Sequence, residues 1–423
     1  MIKAFGLFLT IIAWGAVAQA QDKSPAGQAH WLLERLTGVH WPKGNSVETQ
    51  MTARLSANDA LGAADLATSQ PQFLNVTVKL MALKMSTREE TVRLMLNDFA
   101  AMFIGVTRDQ TDARELLYGN FYYMGDQSKT LTNLPVQPLD LLKNNTHFDT
   151  IDNAGLDAGA VLTRVDGQNI VLNDQTGNIN TAPNPDPGGV LTLHTWMAAH
   201  AIAGTNRRLV EYTFREFMCI PLVNWADTLA PDVRVGRDVD RFPGGDNARY
   251  QTTCKGCHSQ QDGFRGAFAK WDFSTNAGIA TYATSGGVNG AQPAASNGVM
   301  RKMNANNTVY PSGFVTVDDS WLNHANRSGG VNAALFGWRG RAPDGSGGNV
   351  GGNGVNSFGR LVANSQRFSQ CMVRHVFESV CKHDLSDADS SALYTSLGSS
   401  FEANKYNLKK LFQMVAIHPK CRM

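Results

Sequence analysis

Cys254-Lys255-Gly256-Cys257-His258 is the stretch on which the reading of this chain turns, because it sets two thiols and an imidazole at C-x-x-C-H spacing. Two such thiols can each add across one vinyl group of a porphyrin, and the histidine that follows directly can turn a ring nitrogen toward the iron. The motif therefore predicts covalently attached haem c, held by Cys254 and Cys257, with His258 as the proximal iron ligand. Other meanings compete with this one. A zinc ribbon needs a second ligand pair at matching spacing, and the remaining cysteines stand singly and far off. A thioredoxin-like redox pair needs a strand leading into a helix within a βαβ unit, whereas Arg249-Tyr250-Gln251-Thr252-Thr253 reads as polar and irregular. An ordinary disulfide leaves the adjacent histidine without a role.

The N-terminus supplies a context for haem attachment. Lys3 precedes an apolar run from Ala4 to Ala18, and Ala18-Gln19-Ala20 fits a small-residue cleavage site. Residues 1–20 are thus expected to be a signal peptide, and the mature chain to start at Gln21. The run falls short of the roughly 18 to 20 apolar residues that a membrane crossing needs, and no later stretch reaches that length. The expectation is an exported, periplasmic protein with no membrane span in the mature chain. No cysteine follows the cleavage site, which argues against a lipid anchor there.

Composition bounds the rest. A chain of 423 residues, 43% hydrophobic and 17% charged, suits two or three compact domains. The net charge is +2, and Lys and Arg are scattered, so no nucleic-acid partner is expected. Once two cysteines carry haem, Cys219, Cys371, Cys381 and Cys421 remain, an even number suited to two disulfides in an oxidising compartment. Three pairings are formally possible. Met372, Val373, Val376, Phe377 and Val380 follow a helical period between Cys371 and Cys381. A helix would hold those two thiols about 15 Å apart, too far to bridge. The preferred pairing is Cys219 with Cys371 and Cys381 with Cys421; four reduced thiols are the alternative.

The first half of the chain reads as helical. Ser86-Thr87-Arg88-Glu89 has capping-box form, and Val92, Leu96, Phe99 and Phe103 then mark one face of a helix over 87–104. Asp112 to Leu117 opens another short helix, and the aromatics Phe121-Tyr122-Tyr123 read as core. Ala182-Pro183-Asn184-Pro185-Asp186-Pro187-Gly188-Gly189 reads as a linker. Beyond it come a helix from Leu193 to Ala203 and another from a Thr205 cap, with Leu209, Phe214, Phe217 and Met218 as its apolar stripe and Pro221 as its stop. Residues 291–298 and 329–359 read as loops. Helices are expected over 369–381, 387–402 from a Ser386 cap, and 408–417 from an Asn407 cap.

After the motif, Phe264, Phe268 and Trp271 recur at helical spacing and are expected to wall the porphyrin or to form core. Arg265 and Lys270 are candidates to meet the propionates, with solvent-facing side chains as the default. The run from C-x-x-C-H through Asp262-Gly263-Phe264, Phe268 and Trp271-Asp272 resembles the haem domain of planctomycete-type exported cytochromes c, within the c-type cytochrome superfamily. There the motif leads into a similar Asp-(Pro)-Gly-Phe and Phe-Asp run. Gly189 to Thr192, Gly204 to Arg208 and Cys219-Ile220-Pro221 are similar to the segment before that domain. Phe368 to Cys371 and Tyr406 to Leu411 resemble its helical C-terminal domain. The likeness covers about residues 85 to 423, and only C-x-x-C-H is sharply specific. Gln261-Asp262-Gly263 lacks the proline, and the Gly/Asn-rich insert before the last domain departs from the common form. The resemblance implies haem and export, and says little about substrate.

The sixth iron ligand separates an electron carrier from a catalyst, since an open position admits a small ligand or peroxide. Met303 is the choice, because Lys302-Met303-Asn304 enters a polar Asn-rich loop where an apolar side chain needs an inward reason. Met300 and His324 are its alternatives. Other chemistry finds little support. Asp318 and Asp319 point to opposite faces of an extended segment. Gly345 to Val350 fails the dinucleotide fingerprint, and Asp238-Val239-Asp240 lacks the rest of a calcium loop. The expected architecture is mainly α. It comprises the signal peptide (1–20), a helical N-terminal region (21–221), a cytochrome-c-like haem domain with long Gly/Asn-rich loops (222–360) and a helical C-terminal domain (361–423). The expected function is one-electron transfer to a redox partner protein. A haem enzyme or sensor with open iron, and a haem-stabilised binding module, are the alternatives.

Overall fold

The computed structural model of the protein describes residues 22–422 apart from 135–137, 174–178, 203, 284–287, 290–291, 294–297, 305–311, 328, 333 and 340–349. The signal-peptide reading and most of the 345–350 glycine run lie outside those residues. The chain is mainly helical, with 57% helix and 10% strand. No helix among the described residues is long and apolar enough to cross a membrane.

Helices α1 (Pro25–Thr37), α2 (Ser46–Ser56) and α3 (Ala60–Thr68) start behind Ser24, Asn45 and Asp59, whose side chains each accept a backbone N–H of the first turn. Helix α4 (Lys79–Ser86) ends where the capping box predicts a helix to begin. Residues 87–97 are not helical, and α5 (Asp98–Asp109) starts behind Asn97, whose side chain accepts the Ala100 N–H. The Ser86 hydroxyl donates to the Leu83 carbonyl at 2.8 Å inside α4 and accepts from the Asn97 side-chain amide at 3.3 Å. Leu96, Phe99 and Phe103 are buried as expected, while Val92 is exposed.

The short helix after Asp112 forms as a 3-10 turn, Ala113–Leu117. The aromatic run becomes β1 (Phe121–Gly125), with Phe121 and Tyr123 on its buried face. After α6 (Pro138–Lys143), α7 (Thr146–Asn153) and α8 (Ala158–Val161), β2 (Leu162–Asp166) pairs antiparallel with β1. Strands β3 (Asn169–Asn173) and β4 (Ile179–Pro183) form a hairpin pair. The Pro-rich stretch that follows is not a linker. Asn184, Asp186 and Gly189 are buried, and both carboxylate oxygens of Asp186 accept backbone N–H groups, of Val355 at 2.7 Å and Asn356 at 2.8 Å. Prolines stop a ladder there, but a carboxylate can still satisfy the open N–H groups of a helix start far along the chain.

Helix α9 (His194–His200) precedes α10 (Arg207–Met218), whose expected stripe Leu209, Phe214, Phe217 and Met218 is buried. Asn206, not Thr205, stands at the start of α10, in the left-handed region at φ 62°. Its amide donates to the carbonyls of Phe268 and Trp271 at 2.7 and 2.9 Å instead of capping the helix. Next come α11 (Asn247–Arg249), α12 (Lys255–Arg265), β5 (Trp271–Ser274), β6 (Ile279–Tyr282), β7 (Val288–Asn289) and β8 (Gln292–Pro293). These strands join β3 and β4 in a sheet of order β5-β6-β3-β7-β8, with β4 also on β3, a feature too short-stranded to show as a sequence period. Strand β9 (Ser320–Leu322) pairs with β10 (Gly351–Asn353), ahead of α13 (Gly354–Ala363).

The end of the chain follows expectation. Helices α14 (Gln366–Cys381), α15 (Asp387–Ala403) and α16 (Leu408–Ile417) form, the last two capped by the Ser386 and Asn407 side chains. Cys219 is bridged to Cys371 and Cys381 to Cys421, the preferred pairing. One buried apolar cluster runs from Ala29 to Cys421 and includes Leu32, Phe214, Phe264, Phe358, Val376 and Phe412. Replacing Cys219 and Cys371 together by Ala removes a crosslink between α10 and α14 that closes 152 residues of chain. The expected cost is about 2–4 kcal/mol in urea unfolding; an unchanged midpoint would show that the bridge constrains nothing.

Candidate functional site

The C-x-x-C-H motif lies on a helix, contrary to the irregular reading of the residues before it. Asp246 accepts the Ala248 N–H to start α11, a π-helical turn covers Tyr250–Cys254, and α12 continues from Lys255. Such turns inside helices are often found at functional sites. Cys254 and Cys257 are three residues apart and share one face of the helix. Both are half-buried and unbridged, while the other four cysteines are paired. Cys254 packs on Val235, Val239 and Tyr250, and Cys257 packs on the main core. Burial pushes the Cys257 thiol up and lowers His258, partly opposed at His258 by Asp262, so the imidazole is neutral with a lone pair to give.

Four residues after His258, Asp262 has its side chain fully buried. Arg207 at the start of α10 grips it with two hydrogen bonds, Nε to Oδ1 at 2.5 Å and Nη2 to Oδ2 at 2.7 Å. The same guanidinium donates to Asp238 at 2.5 and 3.0 Å, and the Gly236 N–H reaches Asp262 at 3.0 Å. Asp238 is therefore engaged by Arg207. The Arg207–Asp262 contact spans 55 residues, and no local pattern announces it.

Buried polar atoms without partners gather on and beside α12. They include His258 Nδ1, the Ser259 hydroxyl, the Gln260 amide, all three guanidinium nitrogens of Arg265, and His324 Nε2. Arg265 is 1% exposed, not solvent-facing, and has two acidic neighbours, Asp262 at 3.9 Å and Asp238, without a hydrogen bond to either. Orphaned groups at such density call for a partner that the polypeptide does not itself provide. Lys270 also departs from the solvent-facing default, pairing with Asp319 at 2.8 Å.

His324 reaches the site because α12 and β9 touch through glycines. A Cβ at position 263 would stand 2.6 Å from the Leu322 carbonyl oxygen and 3.0 Å from His324 Cδ2, and one at 266 would overlap the Ser320 carbonyl. Met303 is buried in a small cluster with Ala269, Ala283, Val299 and Met300. Phe264, Phe268 and Trp271 are buried in the main core, where Phe264 makes tilted and edge-on ring contacts with Phe214, Trp225, Trp321 and Phe358. Trp271 leaves the helical face altogether, since the chain turns into β5 there.

Comparison of the chain with protein-family models, with curated proteins and with solved structures returned no match, so the site stands on its own geometry.

The buried cluster is sensitive to acid. Burial by itself raises Asp262, but Arg265 and Arg207 outweigh it and hold the carboxyl at about 2, below its ordinary 3.8. The folded value lies below the unfolded one, so this stabilisation is complete above about pH 4 and is lost as pH falls toward 2. Urea midpoints measured across that window should decline with acidification. Arg207→Met should cost about 3–5 kcal/mol at neutral pH by stranding Asp262, and a neutral result would show the pair to be dispensable.

Proposed function

We propose that this protein is an exported monohaem c-type cytochrome that passes single electrons to a redox partner protein. The observation that carries the reading is the state of the cysteines: four of six are bridged, and the two left unbridged are those of C-x-x-C-H, on one helix face beside a neutral imidazole. Haem attached there would supply a one-electron couple whose potential depends on its axial ligands and burial. Cys254 and Cys257 would hold it, and His258 would ligate the iron. Arg265, a buried cation with unpaired N–H groups, has the chemistry to receive a propionate. The two disulfides support an oxidising compartment.

Met303 is the sixth ligand in this reading. His324 is favoured as its rival by one observation, a buried Nε2 with no partner next to Gly263 on α12. Protein from cells able to attach haem c should carry the mass of one haem that survives denaturation. Cys254→Ala with Cys257→Ala should lose it; a retained haem overturns covalent attachment.

A low-spin ferrous spectrum that does not change with carbon monoxide is expected for a closed, electron-carrying iron. A carbon monoxide adduct would move the assignment to a ligand-binding or catalytic haem. Met303→Ala should abolish the sulfur-to-iron band, and a band that survives it while His324→Ala turns the iron high-spin would transfer the ligand to His324.

A further inference from the structure

Far from α12 in sequence, at the other end of the fold's first helix, a second cluster has ligand geometry. We propose that His30, Glu34 and His40 bind one divalent cation of the zinc class, with Glu48 orienting His30. His30 and Glu34 stand four residues apart on α1 and so share a face, with His30 Nε2 at 3.3 Å from Glu34 Oε1. The chain reverses after α1 and brings His40 Nδ1 to 2.5 Å from the same oxygen. The three ligand atoms all lie within 4.8 Å of one another. Zinc at about 2.0–2.2 Å from each of its ligands in tetrahedral geometry holds them roughly 3.3 Å apart, the length the His30–Glu34 edge already has, while the His40–Glu34 edge has to open by about 0.8 Å. His40 is 84% exposed at its side chain and is free to make it.

The second nitrogen of His30 makes the case. Nδ1 lies 3.0 Å from Glu48 Oε2, and Glu48 is itself 6% exposed and held by the Gly44 N–H at 3.1 Å and the Asn45 amide at 3.4 Å. A neutral imidazole carries one N–H and cannot donate to two carboxylates. With that proton on Nδ1 facing Glu48, Nε2 keeps a lone pair 3.3 Å from a Glu34 oxygen that also accepts the Trp41 N–H at 3.2 Å, and a cation held by both atoms would offset the repulsion between their lone pairs. A buried carboxylate behind a histidine whose other nitrogen faces further ligands is the arrangement that orients metal-bound imidazoles. A second proton on His30 would also relieve the contact, and this is the outcome the experiment has to separate. Two imidazoles and one carboxylate suit zinc better than calcium or magnesium, and three protein ligands leave a fourth position for water. The site shares no residue with the proposed haem site.

The test uses the full mature chain, stripped with chelator and with any free thiols alkylated so that Cys254 and Cys257 contribute nothing. Zinc chloride is titrated against a chromophoric competitor. One equivalent should bind, and cobalt(II) in its place should give the intense visible bands of a four-coordinate ion. His40→Ala, an exposed position whose fold is checked by circular dichroism, should abolish the tight site. Glu48→Gln should weaken it about 10- to 100-fold. Absence of saturable binding, or binding unchanged in both His30→Ala and His40→Ala, overturns the proposal.

Discussion

The ion pair between Arg207 and Asp262 sets the constraint around which the middle of this protein is arranged. Removing a carboxylate from water entirely costs several kcal/mol, and that cost is offset only when the charge is met with good geometry. Here the guanidinium forks onto Asp262, turns its remaining N–H groups to Asp238, and leaves the Gly236 N–H to complete the shell. Three separate stretches are thereby held in one register: the start of α10, the loop before α11, and the middle of α12. His258 sits four residues before Asp262, so its place on α12 follows from the same constraint.

Around that centre the structure is tied by long-range devices rather than by repeated local ones. Asp186 serves the start of α13, Asn206 serves the end of the α12 segment, and the Cys219–Cys371 bridge fastens α10 to α14. The apolar cluster follows the same pattern. Phe73 meets Phe412 edge-on at 5.1 Å, so the first helices and the last share one core. Several of the buried polar atoms left without partners lie on or beside α12, next to C-x-x-C-H. A well-packed frame around unsatisfied groups is what a pre-organised ligand site requires.

How much of this could be read in advance depends on the distance over which each signal acts. Helices with a local cap and an uninterrupted period were legible: Ser386 and Asn407 start α15 and α16 as their side chains suggest, and the apolar stripe of α10 is buried. Caps were misread where a hydroxyl or amide had a competing partner. Ser86 ends its own helix with its O–H on Leu83, and the start expected at Thr205 falls instead on Asn206, whose amide donates to carbonyls of a distant segment. The Pro-rich stretch at 182–189 looked like a linker because prolines report only what the backbone cannot do. The carboxylate of Asp186 found its partners about 170 residues away, as the sequence separation of those hydrogen bonds shows.

By itself, the order of residues determined the thiol-thiol-imidazole spacing, the mainly helical class and the exclusion of a bridge between Cys371 and Cys381 along one helix, which left two pairings open. Each is a property of neighbours, set by bond geometry and helical period. Only the tertiary structure decided that Arg207 answers Asp262, that Arg265 is buried with its nitrogens unmatched, that His324 lies against α12, and that His30, Glu34, His40 and Glu48 converge. The reason is physical: a charge or lone pair is answered by whatever lies within a few ångströms, and sequence separation carries no information about that distance once the chain has folded.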